Sequence, residues 1–294
     1  MSLGRDMLRA AKRATDHLGR RSLLVGRFVR SCVNPDGGWR GRGYDSDLYF
    51  TVFALSCLRA MGRPVPAKTS VYLEGFADGS DLDLVHLACL ARCWSLVRKQ
   101  PKLGVADSIR TRIESFRCSD GGYNQSPEAE TGTAYGCFLA IGAYQDLGSA
   151  MASTGSISRC LHSLRATDGG YGNLPGTQSS SVPATAAAVV ALAQLRRGAD
   201  ALAGNWLADQ CLPSGGFCAI PQTPLPDILS TATALFALSL SAKDISPIGD
   251  RCLAFVEGLW DARGGFRANH FDDQLDCEHT FYGLLAMGLL TRDR

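Results

Sequence analysis

The feature that most constrains this chain is a turn made of two glycines and an aromatic residue, which recurs along the sequence. Five copies are present: Gly37-Gly38-Trp39, Gly121-Gly122-Tyr123, Gly169-Gly170-Tyr171, Gly215-Gly216-Phe217 and Gly264-Gly265-Phe266. The later copies are roughly 46–49 residues apart, a spacing typical of repeats built from two helices. The first interval is about twice as long. It leaves room for a copy without its glycine pair, around Asp78 to Val97, so we predict six units.

Each turn lies between two kinds of helical pattern. An amphipathic stretch precedes it, at Arg21 to Cys32, Val105 to Arg117, Ser149 to Leu164, Asp200 to Cys211 and Ile245 to Trp260. A polar loop, a threonine and an apolar run rich in alanine and glycine follow it, the threonines being Thr51, Thr133, Thr185, Thr231 and Thr280. A helix without a polar face is buried on all sides. The pattern therefore predicts an all-α protein with an outer amphipathic layer and an inner apolar layer, and no strand.

Two further segments complete the predicted organisation. An extra helix is expected over Leu3 to Leu18, so that residues 1–20 form an N-terminal addition and residues 21–294 the repeat domain. The most positive segment, Arg5 to Arg21, predicts a solvated helix face, with weak attraction to an anionic membrane surface as the alternative.

Composition excludes several classes of function. The net charge is +2 and no dense basic run occurs, which argues against nucleic acid as the main partner. No apolar run is long enough for a transmembrane segment. The 11 cysteines are scattered without a Cys-x-x-Cys pair, as expected of reduced thiols in the cytoplasm. We therefore expect a cytoplasmic protein.

Repeated Gly-Gly-aromatic turns that lead into apolar helices resemble the repeat shared by protein prenyltransferase β subunits and squalene–hopene-type cyclases. The resemblance covers Arg21 to Leu290. It implies an α/α toroid of six inner and six outer helices, with a central cavity that holds an isoprenoid chain. One toroid of this length is more similar to the prenyltransferase β subunit than to the two-domain cyclases. The resemblance thus implies transfer of a prenyl group from a prenyl diphosphate to an acceptor, with an α-subunit-like protein partner or a homodimer as expected assemblies.

The resemblance also implies metal ligands. In the prenyltransferases, the fifth repeat supplies a zinc-binding Asp and, two residues later, a zinc-binding Cys, and the sixth supplies a His directly before the threonine. Asp227 and His279 match the Asp and the His, whereas Leu229 stands at the Cys position. An open zinc site needs three protein ligands. Asp276, Glu278 or Cys218 would supply the third ligand, with Asp276 or Glu278 preferred.

The diphosphate-binding residues of the transferases lie in the loop before the fifth inner helix. Here that loop, residues 218–226, carries no charge. Basic residues occur instead in the loops of the first and sixth repeats, which a closed ring makes neighbours: Arg40, Arg42, Arg267 and His270. Because arginine binds phosphate bidentately, we predict a diphosphate site moved around the ring, with solvated surface arginines as the alternative.

A second interpretation follows from the cyclases, which protonate a terpene with an Asp-x-Asp-Asp-Thr motif at the start of an inner helix. The segment Asp276-Cys277-Glu278-His279-Thr280 has acidic residues at the first and third positions, and Asp45-Ser46-Asp47 is a weaker match. Asp276 and Glu278 are then candidate acids. Asp47, Asp227 and Asp276 each stand four residues before a repeated threonine, where an Asp also caps a helix.

Two other interpretations stay open. The segment Asp272-Asp273-Gln274-Leu275-Asp276 fits the Asp-Asp-x-x-Asp pattern that binds magnesium diphosphate in other terpenoid enzymes, although here it occupies a loop. From a different class, the chain would be a non-catalytic toroid that binds a lipid or a protein segment.

Overall fold

Helices account for most of the chain in the computed structural model, which describes residues 2–99, 101–198, 200–221, 223–241 and 243–291. Within these residues the helices, numbered in chain order, are α1 (Leu3–Leu18), α2 (Ser22–Ser31), α3 (Leu48–Ala60), α4 (Lys68–Glu74), α5 (Leu84–Val97), α6 (Val105–Glu114), α7 (Ala134–Asp146), α8 (Thr154–Ser163), α9 (Val182–Gln194), α10 (Ala201–Asp209), α11 (Ile228–Leu240), α12 (Ser246–Gly258) and α13 (Cys277–Leu290). None of the helices in the described part of the chain combines the length and the hydropathy needed to span a bilayer. The first and last residues of the predicted domain bounds, Met1 and residues 292–294, lie outside the described residues.

Six helices form a closed inner ring. Each of α3, α5, α7, α9, α11 and α13 packs against the next, and α13 packs against α3. These helices are apolar nearly all round, so both of their sides are buried. The more amphipathic helices α2, α4, α6, α8, α10 and α12 pack outside the ring, which confirms the predicted toroid. The repeat that lacks its glycine pair is the pair α4 and α5, with Asp83 as the N-cap of α5.

The repeated threonine has a structural function that links the turn to the inner helix. Its hydroxyl donates to the carbonyl four residues earlier and accepts the backbone N–H of the aromatic residue in the turn. The second bond measures 2.9–3.4 Å at Thr51, Thr185, Thr231 and Thr280. The third repeat differs from the prediction: Thr133 is the N-cap of α7, and Cys137 occupies the position that the threonine has in these four repeats. Threonine is a favoured N-cap residue, so the sequence alone does not show whether Thr133 caps α7 or lies one turn inside it.

Replacing Thr185 by valine tests this linkage. The change leaves the N–H of Tyr171, a fully buried residue, without its acceptor, and should lower the free energy of unfolding by about 1–3 kcal/mol. Denaturant unfolding measures it. Thr111→Val is the matched control, because Thr111 lies at an exposed position of α6 and its hydroxyl donates to the carbonyl four residues earlier. Equal losses in both variants would contradict the assignment.

Two short antiparallel strand pairs also occur, although the sequence predicted none. Strand β1 (Trp39–Arg40) pairs with β2 (Ser46–Asp47), and β3 (Trp260–Asp261) pairs with β4 (Gly265–Phe266). They are two residues long and lie where the chain reverses between outer and inner helices. Their sequences are therefore dominated by the turn and carry too few residues to show a strand pattern.

Helix α1 crosses the end of the ring at which the inner helices terminate. The backbone N–H of Leu3 donates to Gln145 near the end of α7, and Ala10 lies directly against Gly288 near the end of α13. Helices α7 and α13 are third and sixth around the ring, so α1 spans it from one side to the other. Its 16 residues give a length of about 24 Å, enough for that crossing.

Candidate functional site

The inner ring encloses an apolar cavity. Its main chamber has a volume of about 640 Å³, and a chamber of about 120 Å³ adjoins it toward α1. The two share the side chains of Met7, Tyr49, Tyr135, Phe138 and Tyr282. Because Met7 belongs to α1, this helix forms part of the cavity floor. A cavity of this size and lining accommodates a flexible hydrocarbon.

Three titratable side chains gather at the start of α13. Asp276 is 1% exposed and Glu278 is 8% exposed, so both carboxyl groups are buried. Asp276 caps the helix: its Oδ1 accepts the backbone N–H of His279 at 2.9 Å, and His279 Nδ1 lies 2.8 Å from its Oδ2. One oxygen or nitrogen of each of the three residues lies within 4.8 Å of the others. A single helix turn thus concentrates an acid pair and an imidazole.

Arg42 joins this cluster from the other end of the repeat array. Its Nε donates to Asp276 Oδ2 at 3.1 Å, and its Nη2 lies 2.5 Å from Asp272 Oδ2. The contact exists because α13 packs against α3, which brings the loop before α3 beside the loop before α13. The Arg42 guanidinium therefore lies between the first and last carboxylates of the Asp-Asp-x-x-Asp segment.

The environments of the two buried carboxyl groups shift their pKa values in opposite directions. Burial raises the pKa of Glu278, against the opposing effects of the Tyr49 hydroxyl and the charge of His279. Burial also opposes ionisation of Asp276, but hydrogen bonds and charge from His279, assisted by Arg42, lower its pKa overall. Burial lowers the pKa of His279, but its bond to Asp276, together with the charges of Asp276 and Glu278, raises that pKa overall. The bond to His279 thus favours the ionised form of Asp276, whereas burial makes Glu278 retain its proton to a higher pH.

Tyr49 connects Glu278 to the cavity. Its hydroxyl donates to Glu278 Oε1 at 2.5 Å, and its ring lines both chambers. Tyr49 was not among the site residues predicted from the sequence. The signal that identifies Tyr49 is its position in the helix. It follows the N-cap Asp47 by two residues, just as Glu278 follows the N-cap Asp276. In the other repeats this position also faces the cavity, at Val85, Tyr135, Pro183 and Leu229.

The other predicted metal and acid residues lie at the same rim but outside the cluster. Asp227 caps α11 and accepts the N–H and hydroxyl of Ser230, both at 2.7 Å. Burial raises its pKa, against the hydrogen bonds from Ser230 and the charge of His279. Asp47 caps α3 through the N–H of Tyr49 and lies 3.8 Å from His86 Nε2.

Three of the four predicted diphosphate-binding residues have other contacts. Arg40 donates to Asn34 and to the carbonyl of Ser31. Arg267 pairs with Asp261, and the ring of His270 packs edge-on against Phe255. Within the described residues, only Arg42 of the four bonds to the acid cluster.

A closed ring of six inner and six outer helices around an apolar cavity defines an α/α toroid. The chain belongs to the prenyltransferase α/α toroid domain family, whose model matches residues 3–158, 136–205 and 200–294. This membership confirms the resemblance inferred from the repeated turn. A comparison with curated protein sequences found no match.

Solved structures with this fold come from several enzyme classes. Protein geranylgeranyltransferase-I from Candida albicans, complexed with GGPP, matches with a TM-score of 0.66 and 11% identity, over 92% of each chain. The type II terpene cyclase MstE from Scytonema, in complex with geranylgeranyl dihydroxybenzoate, matches with a TM-score of 0.61 and 13% identity, over 95% of this chain and 97% of the cyclase chain. An α-1,6-mannanase from Salegentibacter matches with a TM-score of 0.65 and 13% identity, over 92% of this chain and 98% of the other.

These likenesses concern the fold alone. The match spans nearly the whole chain of the type II terpene cyclase as well as that of the geranylgeranyltransferase. Chain length therefore does not separate the two classes, and the site must.

Proposed function

We propose that this protein is an isoprenoid cyclase that acts by protonation, with Glu278 as the acid. The observation that carries the proposal is the contrast between two neighbouring buried carboxyl groups at the edge of an apolar cavity. Environments that push the pKa values of a carboxyl pair apart assign one as the proton donor and the other as the ionised partner. Glu278 then holds the proton, and Asp276 stabilises the imidazolium of His279.

The lining of the main chamber supports cation chemistry. Among its described residues no side chain is charged, and aromatic rings predominate among the large ones: Tyr49, Tyr135, Phe138, Phe236 and Tyr282. An aromatic face attracts a cation by about 0.5–2 kcal/mol, more strongly when water is excluded. A diphosphate, by contrast, requires positive charge, which this chamber lacks.

The reaction balances without a co-reactant. The Glu278 proton is transferred to one carbon of a terminal alkene, which leaves a carboxylate and a carbocation. Attack by the next double bond closes a ring and moves the positive charge along the chain. Loss of a proton from the final cation, to the carboxylate or to water, completes an isomerisation. The charge of His279 assists the first step because it opposes the rise in the Glu278 pKa.

Metal-assisted prenyl transfer is the second candidate, favoured by the close grouping of Asp276, Glu278 and His279. Two carboxylates and an imidazole suit zinc and leave a position open, so the donor set fits; magnesium would use the carboxylates alone. These three residues, with Asp227 nearby, would hold zinc, which lowers the pKa of a thiol acceptor. Leu229, at the position of the transferase Cys, faces the cavity and offers no ligand. An α-subunit-like partner or a second copy of the chain would belong to this alternative.

Turnover in the presence of a chelator distinguishes the candidates. Purified protein is incubated with linear polyprenyl alcohols and their diphosphates in EDTA, and products are identified by mass spectrometry. We expect cyclised isomers. The rate should fall about tenfold per pH unit above the raised pKa of Glu278, because only the protonated acid donates.

Other outcomes favour the alternatives. Loss of activity in EDTA that zinc restores would support prenyl transfer. Bound lipid with neither turnover nor metal would support the non-catalytic toroid.

A further inference from the structure

Five large apolar side chains are exposed in the loops that lead into the inner helices. Tyr44 is 92% exposed and Phe271 is 85% exposed, and Leu174, Ile220 and Leu225 are also exposed. They belong to the loops before α3, α13, α9 and α11. We call these five residues the apolar arc.

The four loops are joined to one another. The first residue of α9 donates its N–H to the carbonyl of Ala219 at 3.1 Å, and the first residue of α11 donates to the carbonyl of Ala268 at 2.9 Å. Arg42 then links the loop before α3 to Asp272 in the loop before α13. The apolar arc is therefore a continuous part of one rim of the toroid.

Charge is distributed unevenly along this rim. The loops before α3 and α13 carry charged residues close to Tyr44 and Phe271, such as Asp45 and Asp272. Segments 172–181 and 218–226 contain no charged residue. The loops before α5 and α7 contain the acidic residues Asp78, Asp81, Asp83, Glu128 and Glu130. In their described residues these two loops expose no large apolar side chain. The loops before α9 and α11 are thus suited to an apolar medium, and those before α5 and α7 to water.

The cavity opens within the apolar arc. Ile220 is half exposed and also lines the main chamber, together with its neighbour Ala219 and with Asn173 beside Leu174. A hydrocarbon that enters between the loops before α9 and α11 passes from the apolar arc directly into the chamber.

We propose that the apolar arc docks onto the surface of a phospholipid bilayer. Its members are single side chains at the ends of proline- and glycine-containing loops, such as Leu174-Pro175-Gly176 and Ile220-Pro221. Isolated tips of this kind insert between lipid headgroups, and tyrosine and phenylalanine partition into that region. The acidic loops before α5 and α7 stay in water. Docking would give a membrane-dissolved isoprenoid access to the cavity. That access rests on the proposed function, but the docking itself does not.

The test is co-sedimentation with phosphatidylcholine vesicles, in the absence of any substrate. Wild-type protein should sediment with the vesicles. The double variant Tyr44→Asp/Phe271→Asp should bind at least about tenfold more weakly, because each change places a charge where an aromatic ring was inserted. The control Val71→Asp/Leu103→Asp carries the same added charge at two exposed apolar residues on the outer layer, and should bind like wild type. Equal melting temperatures establish that both variants are folded.

Three results would overturn the proposal. The first is a variant of the apolar arc that sediments to the same extent as wild type, whether both proteins sediment or neither does. The second is binding that requires phosphatidylserine and ignores the arc variant, which would assign the membrane contact to the basic residues of α1. The third is a homodimer, seen by light scattering, that the arc variant dissociates, which would make the arc an interface between copies. Since no turnover is measured, failure here is separate from failure of the proposed cyclisation.

Discussion

Replacement of Glu278 by glutamine is expected to lower the rate of isoprenoid cyclisation by about 10³-fold, within the range contributed by a positioned general acid. Glutamine has nearly the same size and can still accept the hydrogen bond from Tyr49, but it carries no transferable proton. Product formation per unit time, measured below the raised pKa of Glu278, tests the expectation. Retention of more than a tenth of the wild-type rate would remove Glu278 from the role of acid.

The same variant has a second readout that separates titration from damage to the fold. A carboxyl group with a raised pKa in the folded state contributes stability at low pH, which is lost as the pH rises through that pKa. The glutamine variant lacks this loss, so its unfolding free energy should decline less than that of wild type as the pH rises from about 4. Glu128→Gln, at an exposed acid on the same rim, is the matched control for both measurements.

Replacement of Gly288 by alanine is expected to lower the free energy of unfolding by roughly 2–3 kcal/mol. A Cβ at this position would lie 1.8 Å from the carbonyl oxygen of Ala10 and 2.7 Å from its carbonyl carbon. Both are backbone atoms of α1, so relief requires the whole helix to move away from α13. Because Met7 lies on α1, the floor of the cavity would move with it.

Gly26→Ala is the control for that change. Gly26 also lies within a helix and is buried, but the nearest atom to an added Cβ there is a side-chain nitrogen of Arg63 at 3.9 Å. Removing a helical glycine without a clash should be neutral or stabilise by up to about 1 kcal/mol. Denaturant unfolding of both variants measures the difference. A Gly288→Ala protein as stable as wild type would mean that α1 is not held against α13.

The acid cluster was partly predictable because most of it is local. Asp276, Glu278 and His279 belong to one helix start, and their spacing places them together wherever the helix lies. Arg42 was noticed as a basic residue of the first repeat, but its bonds to two carboxylates depend on closure of the ring. Tyr49 was underestimated, because its hydrogen bond to Glu278 joins two helices that are neighbours only in the folded molecule.

The amino-acid sequence by itself determined the six repeats, the inner and outer helices, and the gathering of Asp276, Glu278 and His279 at one helix start. Turns, caps and hydrophobic periodicity act over a few residues, so the pattern reports them directly. Only the tertiary structure decided that α1 crosses the cavity floor, that Arg42 and Tyr49 reach the acid cluster, and that exposed apolar side chains gather on one part of the rim. Those arrangements arise from the closure of the ring, which brings the first and last repeats together.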